Sequence, residues 1–101
     1  MIRNIAAYRF VEIADPRGLA ADLRVWAEAG ALRGTVLVAP EGINLFLAGT
    51  DAAIAAFLGH LRADPRFADI AVKDSRSATV PFGRLKVKLK REIISFRRDG
   101  A

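Results

Sequence analysis

The sequence GTVLVAPEGINLFLA, residues 34–48, contains two short apolar runs separated by a turn. Residues 34–39 and 43–48 are rich in β-branched and large apolar side chains, which favour strands. Pro40, Glu41 and Gly42 interrupt the two runs. Two such runs joined by a short connection that contains glycine predict a β-hairpin.

An amphipathic helix is predicted on each side of this hairpin. Before it, Asp15 is suited to cap a helix, Pro16 to start it and Gly30 to end it. After it, a helix begins at Thr50 or Asp51 and ends before Pro65. Apolar residues recur at helical spacing in both segments. They are Leu19, Leu23, Trp26 and Ala27 in the first, and Ile54, Phe57, Leu58 and Leu61 in the second.

Three further strands complete the predicted fold. Residues 2–13 are apolar on both faces, which is typical of a central strand. Residues 68–73 predict a fourth strand with Ile70 and Val72 inward, and residues 84–91 a fifth that continues towards Ile93 and Ile94. The order is βαββαβ plus one C-terminal basic strand. It predicts a single α+β domain over residues 1–101, a two-layer sandwich of the ferredoxin-like (acylphosphatase-like) type. That fold hosts many functions and fixes none.

The last predicted strand, RLKVKLKR at residues 84–91, concentrates the positive charge of the chain. Leu85, Val87 and Leu89 alternate with basic residues, so one face of the strand is apolar and the other cationic. The cations Arg84, Lys86, Lys88 and Lys90 follow one another at about 6.7 Å, and Arg91 follows them.

The net charge of this region exceeds that of the whole chain. Residues 84–98 contain seven basic residues and one acid, a net of +6, whereas the 101 residues carry +5. A localised cationic stripe indicates a polyanionic partner, with nucleic acid first among the candidates. The alternative is that these lysines protect an edge strand from aggregation.

The residue types present exclude several kinds of chemistry. The chain has no cysteine, which excludes disulfides, thiolate metal sites and a cysteine nucleophile within it. The one histidine, His60, and the dispersed acids suggest no metal site, and no Gly-rich phosphate loop is present, so we expect no cofactor. No apolar run approaches the roughly 20 residues of a membrane span, and the N-terminus lacks the order of a signal peptide. We therefore expect a cytoplasmic protein without membrane contact.

Two loop features have both structural and functional interpretations. Glu41, Gly42, Ile43 and Asn44 suit a tight turn in which glycine takes a positive φ, but a loop on a rigid hairpin is also a common place for binding residues. Phe82 lies directly before the cationic stripe. It is suited to stack on an exposed base or to cover the edge of the sheet.

Four segments together resemble one known family: NIAAYRF (4–10), GTVLVAPEGIN (34–44), FLGHLRADPRF (57–67) and PFGRLKVKLKREI (81–93). They resemble the N-terminal domain of the rhodanese-related tRNA uridine hydroxylases, also described as uncharacterised rhodanese-like sulfurtransferases. The resemblance implies oxygen-dependent hydroxylation of the wobble uridine of tRNA, with the active site in a cysteine-containing rhodanese domain. We therefore expect this sequence to be the N-terminal part of a longer protein.

The resemblance assigns no catalytic residue to this chain. It implies partners, tRNA and the rhodanese domain of the same protein, and two candidate sites. The RNA-binding candidates are Phe82, Arg84, Lys86, Lys88, Lys90 and Arg91. The candidate substrate loop is Glu41, Gly42, Ile43 and Asn44.

Two alternatives remain open from the sequence. The first alternative is a protein-interaction or dimerisation module, in which the cations face an acidic surface of the partner. A small acylphosphatase-type enzyme is the third possibility, with Arg9 as the candidate phosphate-binding group and Asn44 as the candidate water-orienting group.

Overall fold

The computed structural model describes residues 1–91, which form a mixed sheet with two α-helices on one face. A single 3-10 turn, Pro65–Phe67, follows the second helix. The elements in chain order are β1 (Ile2–Phe10), α1 (Pro16–Ala29), β2 (Arg33–Ala39), β3 (Gly42–Gly49), α2 (Asp51–Arg62), β4 (Lys73–Ser77) and β5 (Leu85–Leu89).

The sheet has the order β4-β1-β3-β2-β5. The pairs β1–β3, β1–β4 and β2–β3 are antiparallel, whereas β5 pairs in parallel with β2 at the edge. This confirms the ferredoxin-like fold with an additional basic strand, and it places β1 in the interior of the sheet as predicted.

The two helices cover one face of the sheet and enclose the core. Both predicted caps form: the Gly18 N–H donates to Asp15 Oδ1 and the Ala53 N–H to Thr50 Oγ1, each at 3.1 Å. The helices bury Leu19, Leu23 and Ala27 from α1, and Ile54, Phe57, Leu58 and Leu61 from α2. The sheet contributes Ile5, Ala7, Val36, Val38, Ile43, Leu45 and Leu47. Each large apolar side chain buried in this way stabilises the fold by about 1.5–3 kcal/mol.

Gly42 fixes the geometry of the β2–β3 hairpin. Its φ is +151°, and a Cβ there would lie 2.1 Å from the carbonyl oxygen of Arg9 on β1. The turn is also held to the chain after β1, since Val11 N–H donates to Glu41 O and Ile13 N–H to Pro40 O. The positive φ predicted for this glycine is confirmed, although Gly42 is the first residue of β3 and directly follows the turn at Pro40 and Glu41. Close packing against β1 is a second reason for glycine at this position.

The predicted fourth strand was wrong in position. Residues 68–73 were expected, but β4 is Lys73–Ser77. Ile70 is inward as predicted, yet it lies in a non-strand segment, where its carbonyl accepts from Arg62 Nη2 at 3.0 Å. The apolar pair Ile70 and Val72 packs against the core before the chain reaches the edge of the sheet.

Two other strand boundaries differ from the prediction. β1 ends at Phe10, three residues before the predicted end, because the chain beyond it turns to bond the hairpin turn. β5 covers Leu85–Leu89 only, and the predicted continuation through Ile93 and Ile94 lies outside the described residues.

Candidate nucleic-acid interface

The cationic residues of β5 lie on the face of the sheet opposite the helices, called here the open face. The register pairs Lys86 with Thr35 and Lys88 with Leu37, whose side chains belong to that face. Both lysines are exposed. At the ends of the strand, Arg84 O accepts from Gly34 N–H at 3.1 Å and Lys90 N–H donates to Val38 O at 2.8 Å. The backbone of β2 thus fixes the position of the whole stripe.

The opposite face of β5 is less well buried than the alternation predicted. Leu85 and Val87 pack against the core, as expected, but Leu89 is 43% exposed. Arg91 is exposed and is the last residue that the structure describes.

Positive charge on the open face is not neutralised within residues 1–91. The ion pairs of the described part are Arg3–Asp74, Arg9–Asp69, Arg24–Glu28, Arg66–Asp64 and Arg76–Asp51. None of them uses a cation of the basic stripe. The register also places Arg33 and Lys73 on the open face, and no described strand places a carboxylate there. A surface with one sign of charge attracts polyanions.

The four residues of the predicted substrate loop do not converge. Glu41 is exposed in the turn, Gly42 packs against β1, and Ile43 is fully buried in the core. Only Asn44 belongs to the open face, between Tyr8 of β1 and Leu37 of β2. It is 2% exposed, and its Oδ1 has no hydrogen-bond partner among the described residues.

The acylphosphatase alternative loses its proposed pair of groups. Arg9 pairs in register with the core residue Ile43, so its side chain leaves the sheet on the helix side, whereas Asn44 belongs to the open face. Arg9 Nη1 forms an ion pair with Asp69 Oδ1 at 3.1 Å. The two residues therefore do not face one common phosphate.

Phe82 lies over the open face rather than at the margin of the sheet. It lines one groove of about 460 Å³ with Thr35 and Lys86. A second groove, of about 570 Å³, joins it to Ala6 and Phe46 in the interior of the sheet. The half-buried ring thus lies near Lys86, and base stacking by Phe82 stays a prediction.

Arg24 is a cation beside the basic stripe, at the outer edge of β5, that the sequence did not indicate. It comes from α1, and its Nη2 donates to Val87 O at 3.4 Å. With Arg84, Lys86 and Lys88 it lines a groove of about 320 Å³ along the outer edge of β5. In the sequence, Arg24 shows only an ordinary i,i+4 relation to Glu28, which it does contact at 3.5 Å. The parallel docking of β5 beneath α1 is what brings it to the stripe.

Three aromatic side chains of the described strands lie on the open face. Tyr8 and Phe10 of β1 are 44% and 52% exposed, with ring centroids 5.7 Å apart in an edge-to-face arrangement. Phe46 of β3 lines a groove of about 560 Å³ with both of them.

His60 and Trp26 lie outside this surface, on the two helices. Their rings stack at 5.2 Å with an interplanar angle of 9°. Trp26 is half-buried rather than a full core residue, because its ring covers the margin of the core against His60. Within residues 1–91, no three His, Cys, Asp or Glu side chains are grouped to hold a metal, and no helix is long and apolar enough to cross a membrane.

Two helices beneath a ferredoxin-like sheet define an acylphosphatase-like α+β domain, and solved structures share this fold. The chain is similar to acylphosphatase from Bacillus subtilis, with 19% identity, a TM-score of 0.66, and coverage of 86% of this chain and 98% of that one. It is also similar to Klebsiella pneumoniae BlrP1 with FMN and cyclic diGMP, with 18% identity and a TM-score of 0.71 over 90% of this chain and 26% of that one. At such identities the likeness shows the fold alone.

Residues 2–93 match the family described as the UPF0176 acylphosphatase like domain, and the chain belongs to that family. Curated relatives include the tRNA uridine(34) hydroxylases of Xanthomonas euvesicatoria pv. vesicatoria, 61% identical over 101 residues, and of Bordetella avium, 62% identical over 93. The matches cover 100% and 92% of this chain but only 41% and 38% of those proteins. The resemblance noted from the sequence is thereby confirmed.

Proposed function

We propose that the chain is an RNA-contacting accessory domain of a tRNA-modifying enzyme of the cytoplasm. Its similarity to relatives named tRNA uridine(34) hydroxylase supports tRNA as the polyanion. The chain spans about two fifths of those relatives, which supports an accessory role beside a further domain. We take that further domain to be the rhodanese domain that the resemblance implies.

The observation that carries this proposal is the uncompensated charge of the open face. An edge strand needs only one or two lysines to discourage aggregation. Here Lys86 and Lys88 lie on the open face, and the backbone of β2 holds their strand in position. In the described part of the chain, no ion pair involves these lysines or the neighbouring cations Arg84, Lys90 and Arg91. Spaced at about 6.7 Å, they present a row of donors to successive phosphates.

In this proposal the domain positions tRNA and does not itself perform chemistry. Contacts to phosphates fix the register and orientation of a nucleic acid, while other groups read or modify its bases. Hydroxylation of the wobble uridine is assigned to the rhodanese domain, and this domain holds no cofactor. Glu41, exposed in the turn, and Asn44, which belongs to the open face but is 2% exposed, remain candidate contacts near the substrate.

The test is tRNA binding measured by fluorescence anisotropy over a series of salt concentrations. The wild type is expected to bind, with an affinity that falls by about 0.9 logarithmic units per logarithmic unit of salt for each phosphate contacted. The double variant Lys86→Gln/Lys88→Gln is expected to bind tRNA more weakly. The slope of its salt dependence should be smaller by nearly the value of two phosphate contacts.

Arg17→Glu is the matched control, because it changes the net charge by the same amount at an exposed site on α1. It is expected to retain most of the affinity. Equal losses in the two variants would show a response to net charge alone, and no binding by the wild type at low salt would refute the proposal.

A further inference from the structure

The groove beside β1 on the open face results from the short length of β4. β4 pairs with Ile2 to Ala6 only. The second half of β1 therefore pairs with β3 on one side and has no strand on the other. The preceding segment diverges from β1, and its Asp69, Ala71 and Val72 form the far wall of the groove. The Arg9–Asp69 ion pair, at 3.1 Å, joins this wall to β1.

The lining of this groove suits a flat, uncharged ring. Its volume of about 560 Å³ lies in the range of small-molecule sites. Tyr8, Phe10 and Phe46 supply its aromatic surface. Its charged lining residues are Lys73 and the ion-paired Arg9 and Asp69. About half of the surface of Phe10 is exposed, so its ring is accessible to a ligand and does not serve only to fill the core.

We propose that this groove holds an unstacked nucleobase of single-stranded RNA, and this inference rests on the proposed function. Every base offers a π-face, so stacking on aromatic side chains tolerates any sequence. The groove and the basic stripe lie on the same face, with β1 and β5 three strand spacings or about 14 Å apart. One RNA strand of several nucleotides can thus place a base against Phe10 and phosphates further along the same strand on Lys86 and Lys88.

The position of the rings in the sheet supports the same conclusion. RNA-recognition modules also present stacking aromatics on a four-stranded sheet. Here the aromatics come from β1 and β3, the two central strands of the β4-β1-β3-β2 portion, on the face without helices. Because a base must leave a helix to reach such a surface, the preferred ligand is a loop or single strand rather than a duplex.

The test compares Phe10→Ala with the wild type on two probes of equal length, a single-stranded RNA and an RNA duplex. The variant is expected to bind the single strand at least about tenfold more weakly, since it loses the stacking of one base on an aromatic ring. Its affinity for the duplex and its salt dependence should be unchanged. Phe10→Trp, which retains an aromatic ring, should bind the single strand as the wild type does.

Val25→Ala is the matched control, because Val25 is an exposed apolar residue on α1, 61% exposed and away from the groove. A 2-aminopurine in the single strand gives a second readout: its fluorescence should be quenched by the wild type and less so by Phe10→Ala. Equal losses of affinity for both probes would overturn this inference, and so would unchanged binding and quenching in Phe10→Ala. Neither result would contradict the proposed function, which rests on the phosphate contacts. Absence of any salt-dependent RNA binding would overturn the proposed function as well.

Discussion

Gly42 shows how one residue of the hairpin sets the geometry of both strands and of the neighbouring β1. Two separate constraints exclude a side chain at this residue: its φ is positive, and a Cβ would clash with Arg9 O. A side chain there would have to displace backbone rather than a flexible side chain. Asn44, two residues later, can occupy the open face only because this turn keeps the hairpin in register.

We predict that Gly42→Ala destabilises the fold by at least roughly 2 kcal/mol, since it combines an unfavourable backbone conformation with a steric clash. Urea unfolding followed by circular dichroism measures the change. Gly59→Ala is the control: a Cβ at Gly59, inside α2, meets nothing within 4 Å. That substitution should stabilise the protein by about 0.5–1 kcal/mol. Similar effects at the two glycines would contradict this explanation.

Arg24 extends the basic stripe from β5 to the adjoining helix. We predict that Arg24→Gln weakens tRNA binding and lowers the salt slope by about 0.9, the value of one phosphate contact. Arg17→Gln, the same substitution on the same helix at an exposed position outside the groove, should leave the slope unchanged. If both variants lower the slope equally, Arg24 has no specific role.

The edge strand β4 is held by two ion pairs that respond to pH. Hydrogen bonds from Arg3 lower the pKa of Asp74, and hydrogen bonds from Arg76 lower the pKa of Asp51 at the start of α2. A carboxyl whose pKa is lower in the folded state stabilises that state above its unfolded pKa of about 3.9. This stabilisation is lost as the pH falls through the folded pKa.

We therefore predict that the free energy of unfolding decreases as the pH falls below about 4, because these carboxyls become protonated at such pH values. Asp74→Asn should be less stable than the wild type at pH 6, by a small amount because the pair is exposed. The difference should shrink towards pH 2. A difference that stays constant over this range, measured by urea unfolding at each pH, would show that ionisation of Asp74 is not its cause.

The helices and the hairpin were predictable because their signals are local. Asp15, Pro16 and Thr50 act within a few residues of the backbone they cap, and the apolar spacing of α2 alone identifies its buried face. The position of β4 was not predictable in this way. Ile70 and Val72 carry the alternation of a strand, but contacts with the core, distant in sequence, decide their conformation.

The candidate site was predictable only in its charge. The alternation of residues 84–91 indicated a cationic face, but not that this face is shared with Tyr8 and Phe10. That follows from the sheet order and register, which join residues some 80 positions apart. The contribution of Arg24 and the separation of Glu41 from Asn44 likewise depend on packing between elements.

For the molecule as a whole, the two faces of the sheet have different roles. One face and both helices form the core, whereas the open face carries cations and exposed aromatic rings. A protein-interaction module would present the same cations to an acidic partner, so charge alone does not separate the two functions. The aromatic groove and the position of Phe82 favour RNA, because both place rings where bases can stack.

The most direct measurement is a ¹⁵N–¹H NMR titration of the protein with a tRNA anticodon stem-loop. We expect amide shifts to change along β5 and the open face, at Thr35, Lys86 and Lys88 and near Phe10, and to remain constant on the outer surface of the helices, at Val25 and Ala55. Changes confined to the helices, or no changes at low salt, would contradict an RNA-binding open face. Shifts that depend on protein concentration alone would instead indicate self-association.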